Sequence, residues 1–148
     1  MPKGERAMSV RTMREDWGTP DSIFAPLHAE FQFTLDGAAT AENAKLPRFS
    51  RDAFSEYWGN ECVWLNPPYG HLNLMRWMKR AYLGSRFGAT VVCLVPSHTG
   101  QKWWQEYATK ASEIRWIPGK VKFVGAESCA PFYSAILVFR HPEAGGTA

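Results

Sequence analysis

Apolar and polar positions change their period along the chain, and these changes predict strands that alternate with helices. Residues 62–65 and 89–95 are continuous apolar runs that end at an Asn-Pro-Pro sequence and at a proline, as strands buried on both faces often do. Residues 71–87 and 101–111 instead carry apolar side chains at helical spacing. This succession predicts an α/β fold, in which helices cover both faces of a sheet.

Shorter elements are predicted on either side of this centre. The pattern after Thr19 predicts a helix capped by Thr19 with Pro20 in its first turn, and Pro26 should make that helix short or broken. Alternation over residues 31–35 predicts a strand that ends at Asp36. Further strands are predicted at residues 114–117, 120–123 and 134–139, with a turn at 118–119 between the first two.

The length and composition suit one globular domain, because the chain has 148 residues, 45% of them hydrophobic and 21% charged. We expect a flexible basic arm over residues 1–16, a single domain over residues 17–140 and a loose tail over residues 141–148. Neither a signal peptide nor a membrane span is predicted, since the arm and the domain lack a long apolar run. Three scattered cysteines without a Cys-x-x-Cys pair favour a reduced, cytoplasmic protein, and no metal-ligand spacing occurs.

Charge is distributed unevenly along the domain. Residues 15–61 carry nine acidic and three basic side chains, whereas residues 62–122 carry nine basic and two acidic ones. The basic stretch suggests a surface for an anionic polymer. Ordinary variation in the surface charge of a small protein is an equally good interpretation at this point.

The most specific chemistry lies in the sequence Asn66-Pro67-Pro68-Tyr69, directly after a predicted buried strand. Ligands of open α/β sheets bind at such strand ends. The side-chain carbonyl of Asn66 and a backbone carbonyl held by the prolines are two acceptors suited to an exocyclic amino group, and the Tyr69 ring offers a face to a flat base. Holding both amino hydrogens would direct the nitrogen lone pair at an electrophilic methyl group. A rigid proline turn without a function is the alternative.

A second candidate follows the predicted strand at residues 31–35. Asp36 is followed by Gly37, Ala38 and Ala39, and such small residues let a cofactor approach the backbone closely. Most turns of this kind have no ligand, and no second glycine is present. His98 lies near another strand end, where a surface histidine is the more common interpretation.

Taken in order, several segments resemble the phage-type DNA N6-adenine methyltransferases over about residues 16–139. The matching segments are WGTP (17–20), FTLDGAA (33–39), NAK (43–45), Trp58, NPPY (66–69), VP (95–96), WW (103–104) and GKVKF (119–123). The resemblance implies a compact, reduced Rossmann-like methyltransferase sheet with flanking helices. It also implies transfer of a methyl group from S-adenosylmethionine to adenine N6 in DNA, in the cytoplasm of a bacterial host, by a phage- or prophage-encoded enzyme.

The resemblance assigns roles to particular residues. The catalytic motif that holds the adenine amino group would be Asn66, Pro67, Pro68 and Tyr69. The cofactor would contact Trp17, Thr19, Pro20, Asp36, Gly37, Ala38 and Ala39, with Asp52 or Glu56 as candidates for binding its ribose. The basic stretch would supply DNA phosphate contacts from Lys120, Lys122, Arg76, Lys79 and Arg80.

Several questions stay open at this point. Asp36 and Asn66 are only 30 positions apart, which predicts a smaller sheet than that of a full methyltransferase. Cytosine N4 presents the same amino group to the same acceptors, and a nucleic-acid-binding module that has lost catalysis would keep the fold. Trp103 and Trp104 are candidates to flank a nucleic-acid path, although helix packing would explain at least one of them, and Trp116 is expected in the core. A target base in a duplex would have to be flipped out, or the substrate would be single-stranded.

Overall fold

The computed structural model describes residues 18–38, 44–50 and 53–142, with only the backbone of His71. Its helices are α1 (Asp21–Phe31), α2 (His71–Arg86) and α3 (Lys102–Glu106), the last followed by a 3-10 turn at Ala108–Lys110. Its strands are β1 (Leu35–Asp36), β2 (Cys62–Leu65), β3 (Thr90–Pro96), β4 (Glu113–Lys120) and β5 (Tyr133–Phe139). The flexible arm predicted at residues 1–16 and most of the loose tail predicted at residues 141–148 lie outside the described residues.

The five strands form one mixed sheet in the order β1-β2-β3-β5-β4. Strands β1, β2 and β3 are parallel, and β5 runs antiparallel to both of its neighbours, β3 and β4. The strands β1 to β4 therefore all end at the same edge of the sheet, where β5 begins. We call this the carboxyl edge, and it is where open α/β sheets bind ligands.

Helices cover both faces of this sheet. On one face, the ring of Phe24 in α1 meets Trp64 of β2 edge-to-face, with ring centroids 5.4 Å apart. On the other face, α2 packs on β3, and Trp104 of α3 stacks on Trp116 of β4. The side chains of β3 between Val91 and Val95 are fully buried between these layers. The expected compact α/β architecture is confirmed, and none of the described helices is long and apolar enough to cross a membrane.

The strongest sequence patterns match the structure closely, and the weaker ones need correction. Helix α2 and strands β2 and β3 lie within one residue of their predicted limits. The predicted helix over residues 101–111 is instead α3 followed by the 3-10 turn. The Pro118-Gly119 sequence lies inside β4, where the pairing with β5 shifts between Trp116 and Lys120 and Gly119 has a φ of 73°. The strand predicted at residues 120–123 contributes only Lys120 to the sheet.

The helix α1 differs from its prediction at both ends and in the middle. Pro20 occupies the cap position, so Thr19 is not the cap, and the helix continues to Phe31, which shortens the strand predicted there to β1. Pro26 does not break the helix. Its ring removes the donor for the carbonyl of Ser22, but both residues are exposed, so water can bind that carbonyl instead.

Candidate active site

The loops at the carboxyl edge bring together segments that are distant in the sequence. Asn66 follows β2, the turn with Gly37 and Ala38 follows β1, and Thr19 lies just before α1. The loop after β4 joins them through Phe123, whose ring lies 6.3 Å from that of Tyr69. Residues predicted for catalysis and for the cofactor thus meet at one edge of the sheet.

The Asn66 side chain is held in one orientation by two neighbours. Its Nδ2 donates a hydrogen bond to Oγ1 of Thr19 at 3.0 Å, which fixes which side of the amide carries the oxygen. The hydroxyl of Tyr69 lies 3.1 Å from Oδ1 of Asn66 and 3.0 Å from the carbonyl oxygen of Leu94. A phenol has one proton and can donate fully to only one of these oxygens. Asn66 Oδ1 therefore keeps capacity to accept a hydrogen bond from a substrate.

Tyr69 is anchored in the core rather than spread over the surface. Its ring is buried and makes edge contacts with Phe123 and Phe132, the latter at 5.6 Å between centroids. Burial raises the pKa of the Tyr69 hydroxyl well above its usual range, so that the group stays a neutral donor. The open ring face expected for a flat base is correspondingly small, because only 9% of Tyr69 is exposed. Pro67 is buried beside it, and Pro68 is half-buried.

Asp36 organises the opposite side of the site. The residue is 3% exposed, and its carboxylate accepts hydrogen bonds from the backbone N–H of Lys45 at 2.9 Å and of Ala38 at 3.4 Å. Burial raises the pKa of this carboxyl, while the two backbone donors act to lower it. Its backbone also binds the segment 48–50, which runs parallel to β1 beyond the sheet edge. Asp36 thus fixes the turn of residues 36–38 to the segment that starts at residue 44.

Gly37 is required by packing within the protein. A Cβ atom at this position would lie 2.8 Å from Cγ1 of Val63 and 3.0 Å from Cδ1 of Leu65, both on β2. From the sequence, we interpreted Gly37 as a position that lets a cofactor approach the backbone. The structure gives a second reason for a glycine here, which is packing and involves no ligand. Ala38 is half-buried next to it, and Pro20 is half-buried at the start of α1. The predicted cofactor residues Trp17 and Ala39, and the ribose candidate Asp52, lie outside the described residues.

The basic candidates divide into two groups. Arg80 on α2 donates from Nε to the carbonyl of Ala53 and from Nη2 to that of Glu56, both at 2.7 Å, and its guanidinium lies 3.7 Å from the Trp58 ring. Burial lowers the pKa of Arg80, and the residue holds the loop 53–58 against α2. Arg76 lies 4.0 Å from the ring of Phe54, and Lys79 is exposed on the same helix.

The second basic group lies at the carboxyl edge itself. Lys120 and Lys122 are exposed, whereas Val121 and Phe123 between and beside them are buried. The predicted alternation of burial is therefore present even though only Lys120 belongs to a strand. Neither lysine forms an ion pair with another part of the described chain.

The tryptophan candidates differ from their predicted burial. Trp103 and Trp104 are both buried in the core, so helix packing accounts for both rings and the nucleic-acid path considered for them is wrong. Trp116, expected in the core, is 59% exposed. His98 is half-buried, and its ring lies 5.8 Å from that of Phe132. Tryptophan burial depends on which element covers each ring, and single-sequence patterns do not carry this information.

Two contacts were not predicted, although the residues that make them, Thr19 and Trp58, both lie in segments of the family pattern. The bond between Thr19 and Asn66 joins positions 47 residues apart, and the only available signal was that both lie in segments of the family pattern. Trp58 is almost fully buried beside Gly37, and its indole nitrogen has no partner among the described residues. Within the same residues no group of three or more potential metal ligands occurs.

The mixed five-stranded sheet, with the Asn-Pro-Pro-Tyr loop after β2 and an acidic turn after β1, is consistent with a methyltransferase-like α/β fold. A family model described as DNA N-6-adenine-methyltransferase (Dam) matches residues 7–142 of the 148 residues. The chain therefore belongs to this family. No curated protein matches the sequence.

Proposed function

We propose that this protein transfers a methyl group from S-adenosylmethionine to the N6 amino group of adenine in DNA. Membership of the Dam family supports a DNA methyltransferase. The observation that carries the finer assignment is the Asn66 amide, fixed by Thr19 at the carboxyl edge with Oδ1 still able to accept. An acceptor of this kind binds an amino hydrogen of a base and keeps the ring in place.

The loop that carries Asn66 suits this role because it is stiff. Pro67 and Pro68 lock their own φ angles and have no N–H groups, so this part of the loop presents only acceptors. With Oδ1 of Asn66 and a loop carbonyl each accepting one hydrogen, the N6 lone pair turns away from the ring plane. Binding that holds the amine in line for attack accelerates the reaction mainly through position and orientation.

The residues beside Asn66 fit the cofactor. The turn of residues 36–38 bears only a hydrogen and a methyl group after Asp36, so its backbone is open to close approach. Thr19 and Pro20 cover the same edge from the start of α1, and Glu56 remains a candidate for the ribose. S-adenosylmethionine would supply an electrophilic methyl group; its transfer to the amine of the base would break the methyl–sulfur bond, leave S-adenosylhomocysteine and release one amino proton.

No covalent bond to the enzyme is needed for this displacement, and the cysteines suit that view. Burial raises the pKa of Cys93 far above its usual range and that of Cys62 to about 11, which keeps both thiols protonated and poorly nucleophilic at neutral pH. Methylation of cytosine N4 is the nearest alternative, because that amine would meet the same acceptors. Loss of catalysis is disfavoured by the intact hydrogen bonds around Asn66.

The test is methyl transfer to defined DNA followed by mass analysis of the modified nucleoside. We expect N6-methyladenine from the wild-type protein, and Asn66→Ala should lower turnover by about 10²–10³-fold while cofactor affinity is nearly retained. Asn73→Ala is the matched control, because Asn73 is an exposed asparagine on α2. Turnover of Asn66→Ala equal to that of the wild type would refute the catalytic assignment, and N4-methylcytosine as the product would refute the choice of base.

A further inference from the structure

An aromatic and basic surface lies next to the candidate active site. It consists of Trp116 and Tyr133, which are 59% and 57% exposed, together with the exposed side chains of Lys120 and Lys122. We call these four residues the stacking surface. Large aromatic rings exposed together beside free cations are uncommon on a globular domain and commonly mark an interaction site.

The pairing of β4 with β5 aligns the two rings. Lys120 pairs with Tyr133 and Trp116 pairs with Ala135, which is two residues along β5 from Tyr133. Residues two apart on a strand share a face, so Trp116 and Tyr133 lie on the same side of the sheet. The ammonium group of Lys120 lies 5.5 Å from the centre of the Tyr133 ring, which places a cation directly beside an exposed aromatic face.

The Trp116 ring is held in place from below. It stacks on Trp104 with centroids 5.6 Å apart and an angle of 25° between the planes, and Trp104 itself is buried. One side of the Trp116 indole is thus fixed against the core and the other is open. A ring held in this way loses little conformational entropy when a flat ligand stacks on it.

The stacking surface continues directly from the Asn66 site. Phe132 touches Tyr69, and the carbonyl of the next residue, Tyr133, accepts a hydrogen bond from the N–H of Ser97 at the end of β3. The strand order places β3 and β5 between β2 and β4. With neighbouring strands about 4.8 Å apart, Trp116 lies about 14 Å across the sheet from the strand that carries Asn66.

Aromatic rings with lysines along one path are the chemistry that binds a single nucleic-acid strand, since bases stack on the rings and phosphates meet the cations. A paired duplex hides its base faces within its own stack. We propose that unpaired nucleotides next to the target adenine stack on Trp116 and Tyr133, with their phosphates at Lys120 and Lys122. This inference rests on the proposed function, and it makes an unpaired DNA strand the preferred substrate.

The experiment measures binding of a labelled single-stranded oligonucleotide, and of the duplex with the same sequence, by fluorescence anisotropy. Trp116→Ala and Tyr133→Ala should each weaken single-strand binding about 10-fold, because one stacked base is lost, and should affect duplex binding less. Tyr133→Phe keeps the ring and should bind as the wild type does. Tyr57→Ala is the matched control, since Tyr57 is the most exposed of the large apolar side chains described and lies beside Thr34 and Glu61, which precede β1 and β2 at the opposite edge of the sheet.

Each variant is first checked by thermal melting, which detects a loss of binding caused by misfolding, and Tyr133→Phe tests whether the ring without its hydroxyl is enough for binding. Single-strand affinity unchanged in both alanine variants, or an equal loss of single-strand and duplex affinity, would overturn the inference. A change of oligomeric state in Trp116→Ala would do so as well, because the surface would then bind a second copy of the chain. If the wild-type protein methylates DNA while these variants bind normally, the stacking role fails and the proposed function stands. If the wild-type protein methylates no DNA, the proposed function itself fails.

Discussion

Replacing Gly37 by alanine tests whether the turn after β1 is shaped by the protein or by a ligand. The new methyl group would sit 2.8 Å from Cγ1 of Val63, 3.0 Å from Cδ1 of Leu65 and 3.3 Å from the Trp58 ring. Ordinary carbon contacts are about 3.5–4.0 Å, so all three neighbours would have to move. Val63 and Leu65 are fully buried, so moving either side chain would disturb other residues of the core.

The expected loss in the free energy of unfolding can be estimated from other overpacked protein cores. Inserting a methylene into a well-packed core costs about 1–3 kcal/mol. For a chain of about 150 residues each kcal/mol shifts the melting temperature by about 2–4 °C, so Gly37→Ala should melt about 2–12 °C below the wild type without any cofactor. Gly100→Ala is the matched control, because its Cβ would meet nothing within 4 Å, and it should be neutral or slightly stabilising.

A double mutant identifies the clash itself. Val63→Ala removes the Cγ1 atom nearest to the new methyl group, so Gly37→Ala should cost less in that background than in the wild type. Contacting residues usually show coupling of about 0.5–3 kcal/mol in such a cycle. The measurement is chemical denaturation of all four proteins. Strictly additive costs, or a Gly37→Ala protein as stable as the wild type that fails only to bind S-adenosylmethionine, would refute the packing explanation.

Two other substitutions test the two sides of the site. Asp36→Ala should weaken S-adenosylmethionine binding, measured by calorimetry, more than DNA binding. The substitution frees the backbone N–H groups of Ala38 and Lys45 and so loosens the turn. A fall in melting temperature with no selective loss of cofactor affinity would contradict this. Lys120→Ala combined with Lys122→Ala should weaken DNA binding for every sequence and reduce the slope of log affinity against log salt by about 0.9 per lost duplex contact. An unchanged slope in a folded double mutant would move the phosphate contacts to Arg76 and Lys79.

The centre of the fold was predictable because its local signals are strong and consistent. Strands β2 and β3 are apolar runs closed by prolines, and α2 between them has a clear apolar face. Such patterns predict the structure well because continuous apolar strands can bury their side chains only in the core. They also placed Asn66 at the end of a strand, which was enough to locate the candidate site.

The features that were missed depend on distant parts of the chain. Thr19 resembles a helix cap in sequence, but its hydroxyl instead accepts the hydrogen bond of Asn66. Pro118 and Gly119 resemble a turn, yet β4 is an edge strand and tolerates a proline that a central strand would exclude. Trp104 and Trp116 stack on each other, and only the packing of α3 determines which of the two rings is covered.

The sheet has few strands on its β1 side, and this changes how the two halves of the candidate site are supported. Asn66 rests on β2 and β3, where neighbouring parallel strands and the buried Tyr69 hold it from below. The side proposed to bind the cofactor has only the two-residue strand β1 and the segment 44–50 beyond it, and much of their connection runs through Asp36. A carboxylate is costly to bury unless hydrogen bonds compensate, and here its two backbone donors are also what keeps the turn closed. Asp36 therefore replaces, with a few polar bonds, the lateral support that further strands would give to this side of the sheet.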